Sequence, residues 1–303
     1  MQNIEIQYST DDNSVNFIDS NPSSGFFESR YVRRGEEYFI IYLSVQSACN
    51  LGCKMCHLTA TQQKKMIENT EHQLLEQAKM VLSHYAGLVA GGHEKPAKYM
   101  HFNFMARGEV LNSNVFTNPD LTNSVLTKLS ALANTVGLEA RFLLSTIMPQ
   151  SYIDKDLVTG FTGIQPYFYY SIYSMDMNFR KKWLPMAMNP TDAINKLSVW
   201  NDFSENKFKI HYAFIKDQND SAKDVSDICD FLLSYGLTPD VNIVRYNPYS
   251  EKFGTESDES TIERNVNIFR EKLSSNVKVI SRVGKDVKAS CGMFIEQQKT
   301  AHL

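Results

Sequence analysis

The sequence lacks several features that would place it in a specialised class of protein. Glycine and proline contribute only 14 and 9 of the 303 residues, too few for a collagen-like or low-complexity chain. No apolar run approaches the roughly 20 residues that span a bilayer, and the N-terminal segment carries no export signal. Positive charge is not in excess either, because 31 Lys and Arg stand against 34 Asp and Glu. We therefore predict a compact cytoplasmic protein with no membrane partner and no global positive field for a polyanion.

Cysteine is also scarce, and its distribution is uneven. Three of the five cysteines, Cys49, Cys53 and Cys56, lie within eight residues of one another, whereas Cys229 and Cys291 lie far away. An odd number of cysteines, clustered in a chain without an export signal, favours metal or redox chemistry over a disulfide framework. With 43% hydrophobic residues, the chain has ample material for a buried core around such a site.

The order of the apolar patterns predicts an α/β fold. From residue 37 to about residue 281, short β-rich segments alternate with helical patterns, as expected for βα units and a parallel sheet. Residues 1 to about 25 are predicted to be a polar extension. The predicted strands are 37–45, 98–105, 139–146, 167–173, 208–215 and 240–247, and the predicted helices are 70–90, 122–137, 191–200, 221–236 and 260–275. The carboxyl ends of parallel strands form the working face of such folds, so motifs at these ends are candidates for the active site.

The three clustered cysteines lie on one loop, immediately after the first predicted strand. Their sequence is CNLGCKMC, with spacings of four and three residues. Three thiolates can bind three irons of a 4Fe-4S cluster and leave the fourth iron open to another ligand. A structural zinc site is the alternative, but zinc usually takes four protein ligands and only His57 lies nearby. Cys49, Cys53 and Cys56 are therefore candidate ligands of an iron-sulfur cluster.

The CNLGCKMC segment resembles the CxxxCxxC signature of the radical S-adenosylmethionine (radical SAM) superfamily. The resemblance implies that SAM binds the open iron and is cleaved reductively to a 5′-deoxyadenosyl radical. It also implies a partial (β/α)6 barrel, which agrees with the six predicted strands. We expect an N-terminal extension at 1–36, a barrel at 37–281 and a C-terminal segment at 282–303. Met55 departs from the superfamily, which usually has an aromatic residue there.

Further motifs lie at or after the predicted strand ends, namely GEVLN (108–112), LLSTIMP (143–149), SIY (171–173), YNP (246–248) and DVKASCGMF (286–294). Together they resemble the RlmN/Cfr family of radical SAM methyltransferases, which modify adenosine in RNA. The resemblance implies that Gly108 and Glu109 bind the amine end of SAM, and that Ser145, Ser171 and Asn247 hold the ribose and neighbouring polar groups.

The same resemblance implies a methyl carrier, Cys291, and a proton-accepting glutamate, Glu28. In this family one SAM methylates the cysteine, and a second yields the radical that abstracts hydrogen from the S-methyl group. The methylene radical then adds to carbon 2 or carbon 8 of adenine. These carbons are electrophilic, so they do not attack the electrophilic methyl group of SAM in a polar reaction. A carbon radical, in contrast, can add to them. The expected partners are ribosomal or transfer RNA and an electron donor such as flavodoxin or ferredoxin.

The sequence also departs from the family. Tyr42 occupies the position of a second cysteine that resolves the covalent protein–RNA adduct, so another thiol substitutes, the product differs or turnover is impaired. Tyr173 stands where the family has histidine. Too few residues precede Glu28 for the family's separate RNA-binding domain. Cys229 lies on the apolar face of a predicted helix and is expected to be a core residue.

Three functions remain open from the sequence. The first is methylation of an RNA adenosine, and the second is radical SAM chemistry on a nucleotide, peptide or other small substrate. The third is a non-catalytic iron-sulfur or zinc protein with this fold. The segment Arg180-Lys181-Lys182-Trp183 is predicted either to contact phosphate and stack on a base or to be a solvated face. His57, His101 and His211 have no ligand-like spacing and are predicted to be structural.

Overall fold

The strands of the protein follow one another across a single sheet in the order in which they occur in the chain. The computed structural model describes residues 4–21 and 25–296. Strands β1 to β4 pair antiparallel, and every pair from β4 to β10 is parallel. The strands are β1 Ile4–Tyr8, β2 Val15–Asn21, β3 Gly25–Arg33, β4 Tyr38–Tyr42, β5 Tyr99–Asn103, β6 Glu139–Thr146, β7 Tyr167–Ser171, β8 Lys209–Tyr212, β9 Val241–Val244 and β10 Val277–Ile280.

Helices connect the parallel strands, and their first turns are fixed by local sequence. Thr70 and Gln73 form a reciprocal capping box ahead of the longest helix, and Pro119 and Pro190 occupy first-turn positions, where proline costs no hydrogen bond. None of the helices within the described residues has the length and apolar character needed to cross a bilayer. The helices are α1 His57–Ala60, α2 Glu71–Ala90, α3 Pro119–Asn134, α4 Leu157–Gly160, α5 Met177–Trp183, α6 Pro190–Phe203, α7 Ala222–Ser234 and α8 Glu259–Leu273.

The six predicted strands are confirmed as β4 to β9, and the α/β fold class is confirmed with them. The sequence pattern missed four other strands. The predicted N-terminal extension, 1–36, contains β1, β2 and β3, which continue the same sheet. Strand β10, Val277–Ile280, is short and exposes two of its four side chains, so it has little hydrophobic periodicity. These strands are specified by pairing with neighbours, which a local pattern does not record.

The two faces of the parallel sheet have opposite character. Side chains on the outer face, such as Phe39, Phe102, Leu144 and Ile210, are fully buried in the hydrophobic core beneath the helices. Each such residue contributes roughly 1.5–3 kcal/mol by leaving water. The inner face is largely polar and curves around a cavity of about 370 Å³, which side chains of all seven strands from β4 to β10 line. The sheet is therefore a partial barrel whose main core lies outside it.

The structure contradicts the predicted RNA contact at two of the four residues of the Arg180–Trp183 segment. Arg180 and Trp183 are only 3% and 1% exposed, so neither can contact phosphate or stack on a base. The guanidinium of Arg180 donates hydrogen bonds to the carbonyl oxygens of Ile172, Ser174 and Met188 at 2.7–3.2 Å. These two side chains fix α5 against the loop after β7, and only Lys181 and Lys182 face solvent.

We expect Arg180→Met to destabilise the fold by about 3 kcal/mol, because three buried carbonyl groups lose a charged donor. Lys181→Met is the matched control, since Lys181 is exposed on the same helix. Urea unfolding followed by circular dichroism measures both variants. Equal unfolding midpoints for the two variants would contradict the structural role of Arg180.

Candidate active site

The three clustered cysteines lie on the loop that follows β4. Cys49, Cys53 and Cys56 are free thiols, and Cys49 and Cys53 pack against a small apolar cluster apart from the main core. Burial raises the pKa of Cys49 to about 12 and that of Cys56 to about 11, and the neighbouring cysteines raise the pKa values of Cys49 and Cys53 further. Each of the three thiols is therefore close enough to another cysteine for the charge of one to change the pKa of the other. A bound cation would reverse this penalty, because it stabilises thiolate.

The donor chemistry of this loop fits an iron-sulfur cluster better than a single ion. Within residues 4–21 and 25–296, no three Cys, His, Asp or Glu side chains converge in a geometry that would hold one metal ion. A cubane cluster is wider than an ion, and each thiolate binds a different iron, so convergence on one point is not required. Three soft sulfur donors also suit iron-sulfur chemistry rather than a hard cation.

Gly108 and Glu109 lie at the carboxyl end of β5. Gly108 has φ +96°, and a Cβ there would lie 2.8 Å from atoms of Val45 and Gln46, so both the backbone and the space require glycine. The Glu109 carboxylate accepts hydrogen bonds from the backbone N–H groups of Leu111 and Ile147, both at 3.3 Å. Burial nevertheless raises the pKa of Glu109 to about 7. A cationic ligand would therefore meet a buried carboxylate that has no cationic partner among the described residues.

The other predicted SAM contacts lie at neighbouring strand ends. The Ser145 hydroxyl pairs with His211 Nδ1 at 3.2 Å, and Ser171 is half-buried at the end of β7. The Asn247 amide donates to the carbonyl oxygen of Cys291 at 3.0 Å and accepts from Arg282 at 2.9 Å. Asn247 therefore holds the backbone of Cys291, a contact that the sequence did not indicate.

The fold brings Cys291 onto the cysteine loop although the two are remote in sequence. The carbonyl oxygen of Gly292 accepts a hydrogen bond from the N–H of His57 at 3.0 Å, and Cys291 packs against the same apolar cluster as Cys49 and Cys53. Burial raises the pKa of the Cys291 thiol, while Arg30 and Arg34 counteract part of that rise. Cys291 also raises the pKa of Cys56, which requires the two sulfur atoms to be near each other.

Glu28 lies in a buried ion network rather than at an open surface. Its carboxylate pairs with Arg30 at 2.9 Å and with Arg107 at 2.6 Å, and all three side chains are 0–1% exposed. Burial alone would raise the pKa of Glu28, but the two guanidinium groups outweigh it and hold the pKa below its usual value. Glu28 is therefore an ionised partner of two cations, which makes it a weak proton acceptor.

The same network holds the C-terminal segment in place. Arg30 donates to the carbonyl oxygen of Met293 at 2.7 Å, and Arg107 donates to that of Ile295 at 3.2 Å. The N–H of Ile295 returns a hydrogen bond to Glu28 at 3.1 Å. We call Glu28, Arg30 and Arg107 the buried clamp. Sequence reasoning missed both arginines, although Arg107 directly precedes the Gly108-Glu109 motif.

The remaining predicted residues divide between the site and the core. Tyr42 lines the same cavity as Cys291, and Tyr173 is buried near the thiols of Cys53 and Cys291 with φ 57°. Cys229 is fully buried on α7, so the prediction of a core cysteine is confirmed. His57 is buried, and its Nε2 pairs with the carbonyl oxygen of Asn247 at 3.1 Å, as expected of a structural histidine.

We expect Glu28→Gln to destabilise the protein by about 3–5 kcal/mol at pH 7, because two buried guanidinium groups lose their counter-charge. The folded pKa of Glu28 is lowered, so its contribution is complete above the unfolded value of about 4.5 and is lost as pH falls through the folded value. The difference from wild type should therefore shrink on acidification. Urea unfolding between pH 7 and pH 3 measures it, with Glu76→Gln in an exposed pair as the control. A constant difference across this range would argue against the clamp.

Comparison with known proteins gives relatives over most of the chain. No family model matches it. The probable dual-specificity RNA methyltransferase RlmN of Clostridium botulinum is 25% identical over 273 residues, which covers 86% of this chain and 70% of that protein. A probable RNA methyltransferase of Rhodopirellula baltica is 25% identical over 95% of this chain and 71% of its own length. The ribosomal RNA large subunit methyltransferase Cfr of Staphylococcus warneri is 28% identical over 86% of this chain and 70% of its own length.

A solved structure supports the same relationship at the level of the fold. A radical SAM methyltransferase from Sphaerobacter thermophilus superposes with a TM-score of 0.76 and 17% identity, covering 97% of this chain and 81% of that one. The sequence motifs, the named relatives and the fold all indicate the same relationship. The chain is a homologue of the RlmN and Cfr RNA methyltransferases and has the fold of a radical SAM methyltransferase.

Proposed function

We propose that this protein is a radical SAM methyltransferase that methylates an adenosine carbon in RNA through S-methylated Cys291. The observation that carries the proposal is the position of Cys291, which comes from the C-terminal segment and packs against the same apolar cluster as Cys49 and Cys53. The relatives named RlmN and Cfr RNA methyltransferases support both the reaction and the class of substrate.

Cys49, Cys53 and Cys56 are the proposed ligands of a 4Fe-4S cluster. The cluster and SAM, when bound, would supply one-electron cleavage of SAM. The carboxylate of Glu109 would accept the ammonium group of SAM, and its burial makes that pairing favourable, because an uncompensated buried carboxylate otherwise tends to take up a proton. Gly108 leaves room for the backbone turn that presents Glu109, and the hydroxyls of Ser145 and Ser171 are available to polar groups of the ligand.

Cys291 would act as a nucleophile toward the first methyl group. A thiolate is required for that step, and burial opposes its formation. The nearby guanidinium groups of Arg30 and Arg34 offset part of this penalty. Asn247 and the buried clamp would hold the backbone on both sides of Cys291, so that the sulfur keeps its place beside the loop. For Glu28, the two arginine partners favour this positioning role over the expected role of proton acceptor.

A basic surface beside the cysteine loop supports a polyanionic partner. The ammonium group of Lys54 lies 4.8 Å from the ring centre of Trp183, and that of Lys182 lies 5.8 Å from it. Desolvation and the neighbouring Lys182 and Lys252 lower the pKa of Lys54, so the three lysines are close together. Such a patch suits an RNA backbone, whose binding energy comes largely from phosphate contacts. The chemistry also requires an electron donor, and a flavodoxin or ferredoxin is proposed on that ground.

The first test is the state of Cys291. After anaerobic incubation with SAM that carries a trideuterated methyl group, peptide mapping should place one labelled methyl group on Cys291. Cys291→Ala should abolish the label, whereas Cys229→Ala, in the core of α7, should retain it. SAM cleavage without any label on Cys291 would exclude the carrier mechanism. A labelled Cys291 without labelled methyladenosine in digests of ribosomal and transfer RNA would instead point to a small substrate.

The second test concerns the three cluster cysteines. Reconstituted wild-type protein should bind about four irons per chain and form 5′-deoxyadenosine from SAM when a reductant is added. Replacing Cys49, Cys53 or Cys56 by alanine should abolish 5′-deoxyadenosine formation and lower the iron content. Cys229→Ala again provides the control. Stoichiometric zinc with no SAM cleavage in the wild type would leave only the non-catalytic alternative.

A further inference from the structure

The interior of this partial barrel differs from the interior of a closed (β/α)8 barrel. Closed (β/α)8 barrels are filled by branched apolar side chains, and that filling is their core. Here the hydrophobic core lies on the outer face, and the inner face surrounds a cavity of about 370 Å³. Its lining includes four tyrosines, two histidines and three asparagines, namely Tyr38, Tyr42, Tyr167, Tyr169, His101, His211, Asn103, Asn242 and Asn276.

Two side chains of the lining each have one buried polar atom without a hydrogen-bond partner. Asn103 is only 5% exposed. The amide oxygen of Asn103 and Nε2 of His101 have no hydrogen-bond partner in the described residues. Burial of polar groups without partners costs free energy, so native proteins rarely retain them without a reason.

The charge of the lining is opposite to that of the whole chain. Arg34, Arg141, Lys209 and Lys278 line the cavity, and Asp240 is the only carboxylate among its lining residues. Asp240 pairs with Lys209 at 2.8 Å. At the rim, Glu139 lies 3.5 Å from Arg141 in a solvent-exposed pair. The cavity therefore carries a local excess of positive charge in a chain of net charge −3, which favours an anionic ligand.

The aromatic side chains offer faces for a flat ring. Tyr38 stacks on His101 with ring centres 4.5 Å apart and planes inclined by 17°. Tyr169 and His211 are also 4.5 Å apart. Asparagine amides and neutral imidazoles can both donate and accept hydrogen bonds, as the edge of a heterocyclic base requires. Burial lowers the pKa of His101 to about 4 and that of His211 to about 3, so both rings are neutral near pH 7.

We propose that the barrel interior is a binding site for a free mononucleotide or a similar phosphorylated heterocycle. The base would lie among the tyrosines, asparagines and histidines, and the phosphate beside Arg141 and Lys278. The cavity extends from the amino ends of the strands, at Tyr38 and Tyr167, to Cys291. Its volume falls in the range of small-molecule pockets. The strands enclose it on several sides, so a single small molecule fits it better than a continuous RNA strand does. The proposal concerns binding and does not depend on the reaction at Cys291.

Calorimetric titration of the reconstituted full chain tests this site. Saturating SAM is present, without reductant, so that the SAM site cannot bind the probe. The probes are AMP, GMP, CMP, UMP, adenosine, inorganic phosphate and a short oligoribonucleotide. We expect at least one mononucleotide to bind, and both adenosine and inorganic phosphate to bind at least tenfold more weakly than AMP or the preferred mononucleotide.

Substitutions of cavity residues test whether the mononucleotide binds in the barrel interior. Arg141→Met at the rim and Asn242→Leu in the interior should each weaken mononucleotide binding about tenfold. Lys223→Met is the control, because Lys223 is 80% exposed on α7 and does not line the cavity. Circular dichroism and thermal midpoints equal to those of wild type identify folded variants. If Asn242→Leu does not fold, Arg141→Met alone decides the location.

Three results would overturn the inference. One is the absence of mononucleotide binding by protein that cleaves SAM normally once reductant is added. Another is unchanged binding in the folded cavity variants. The third is binding of the oligoribonucleotide alone, which would assign the cavity to a nucleotide within RNA. Loss of Cys291 methylation with intact mononucleotide binding would count against the proposed function and leave this inference standing.

Discussion

The arrangement of the candidate site depends on one buried interaction, the pairing of Glu28 with Arg30 and Arg107. This clamp joins β3 and the loop after β5 to the C-terminal segment, whose described residues after β10 form no strand or helix. Glu28 and Arg30 come from β3, Arg107 follows β5, and the guanidinium of Arg107 also donates to the carbonyl oxygen of Ser47 ahead of the cysteine loop. Both arginines bind backbone carbonyl groups of the C-terminal segment. A buried ion network is costly unless every member is paired, so it favours one arrangement of these segments over looser alternatives.

The parallel sheet separates stability from ligand binding. Its outer face buries apolar side chains against the helices, and its inner face carries polar side chains around a cavity. In a closed (β/α)8 barrel the interior side chains supply packing energy. Here most of that energy comes from the other side of the sheet, so the interior is free to hold hydrogen-bonding and charged groups. Cys291 lines the cavity and also packs against the apolar cluster that includes Cys49 and Cys53, so it contacts both parts of the site.

The curved sheet places Tyr42 in the candidate site. Tyr42 stands where the RlmN/Cfr resemblance places a resolving cysteine, and its side chain lines the cavity together with Cys291. The one other cysteine outside the candidate site, Cys229, is buried on α7. In the proposed function, therefore, a thiol from outside the chain substitutes, the product differs or turnover is impaired. Tyr42 instead adds an aromatic face to the polar interior.

The sequence by itself determined the parallel strands β4 to β9 and the grouping of three thiols on one loop, because both are local patterns of a few residues. It also marked Gly108, whose positive φ and close neighbours exclude any side chain. Only the tertiary structure decided that β1 to β3 extend the sheet, that Arg180 and Trp183 are buried, and that Glu28 is locked between two arginines. Those outcomes depend on long-range pairing of strands and charges, which the spacing of residues along the chain does not encode.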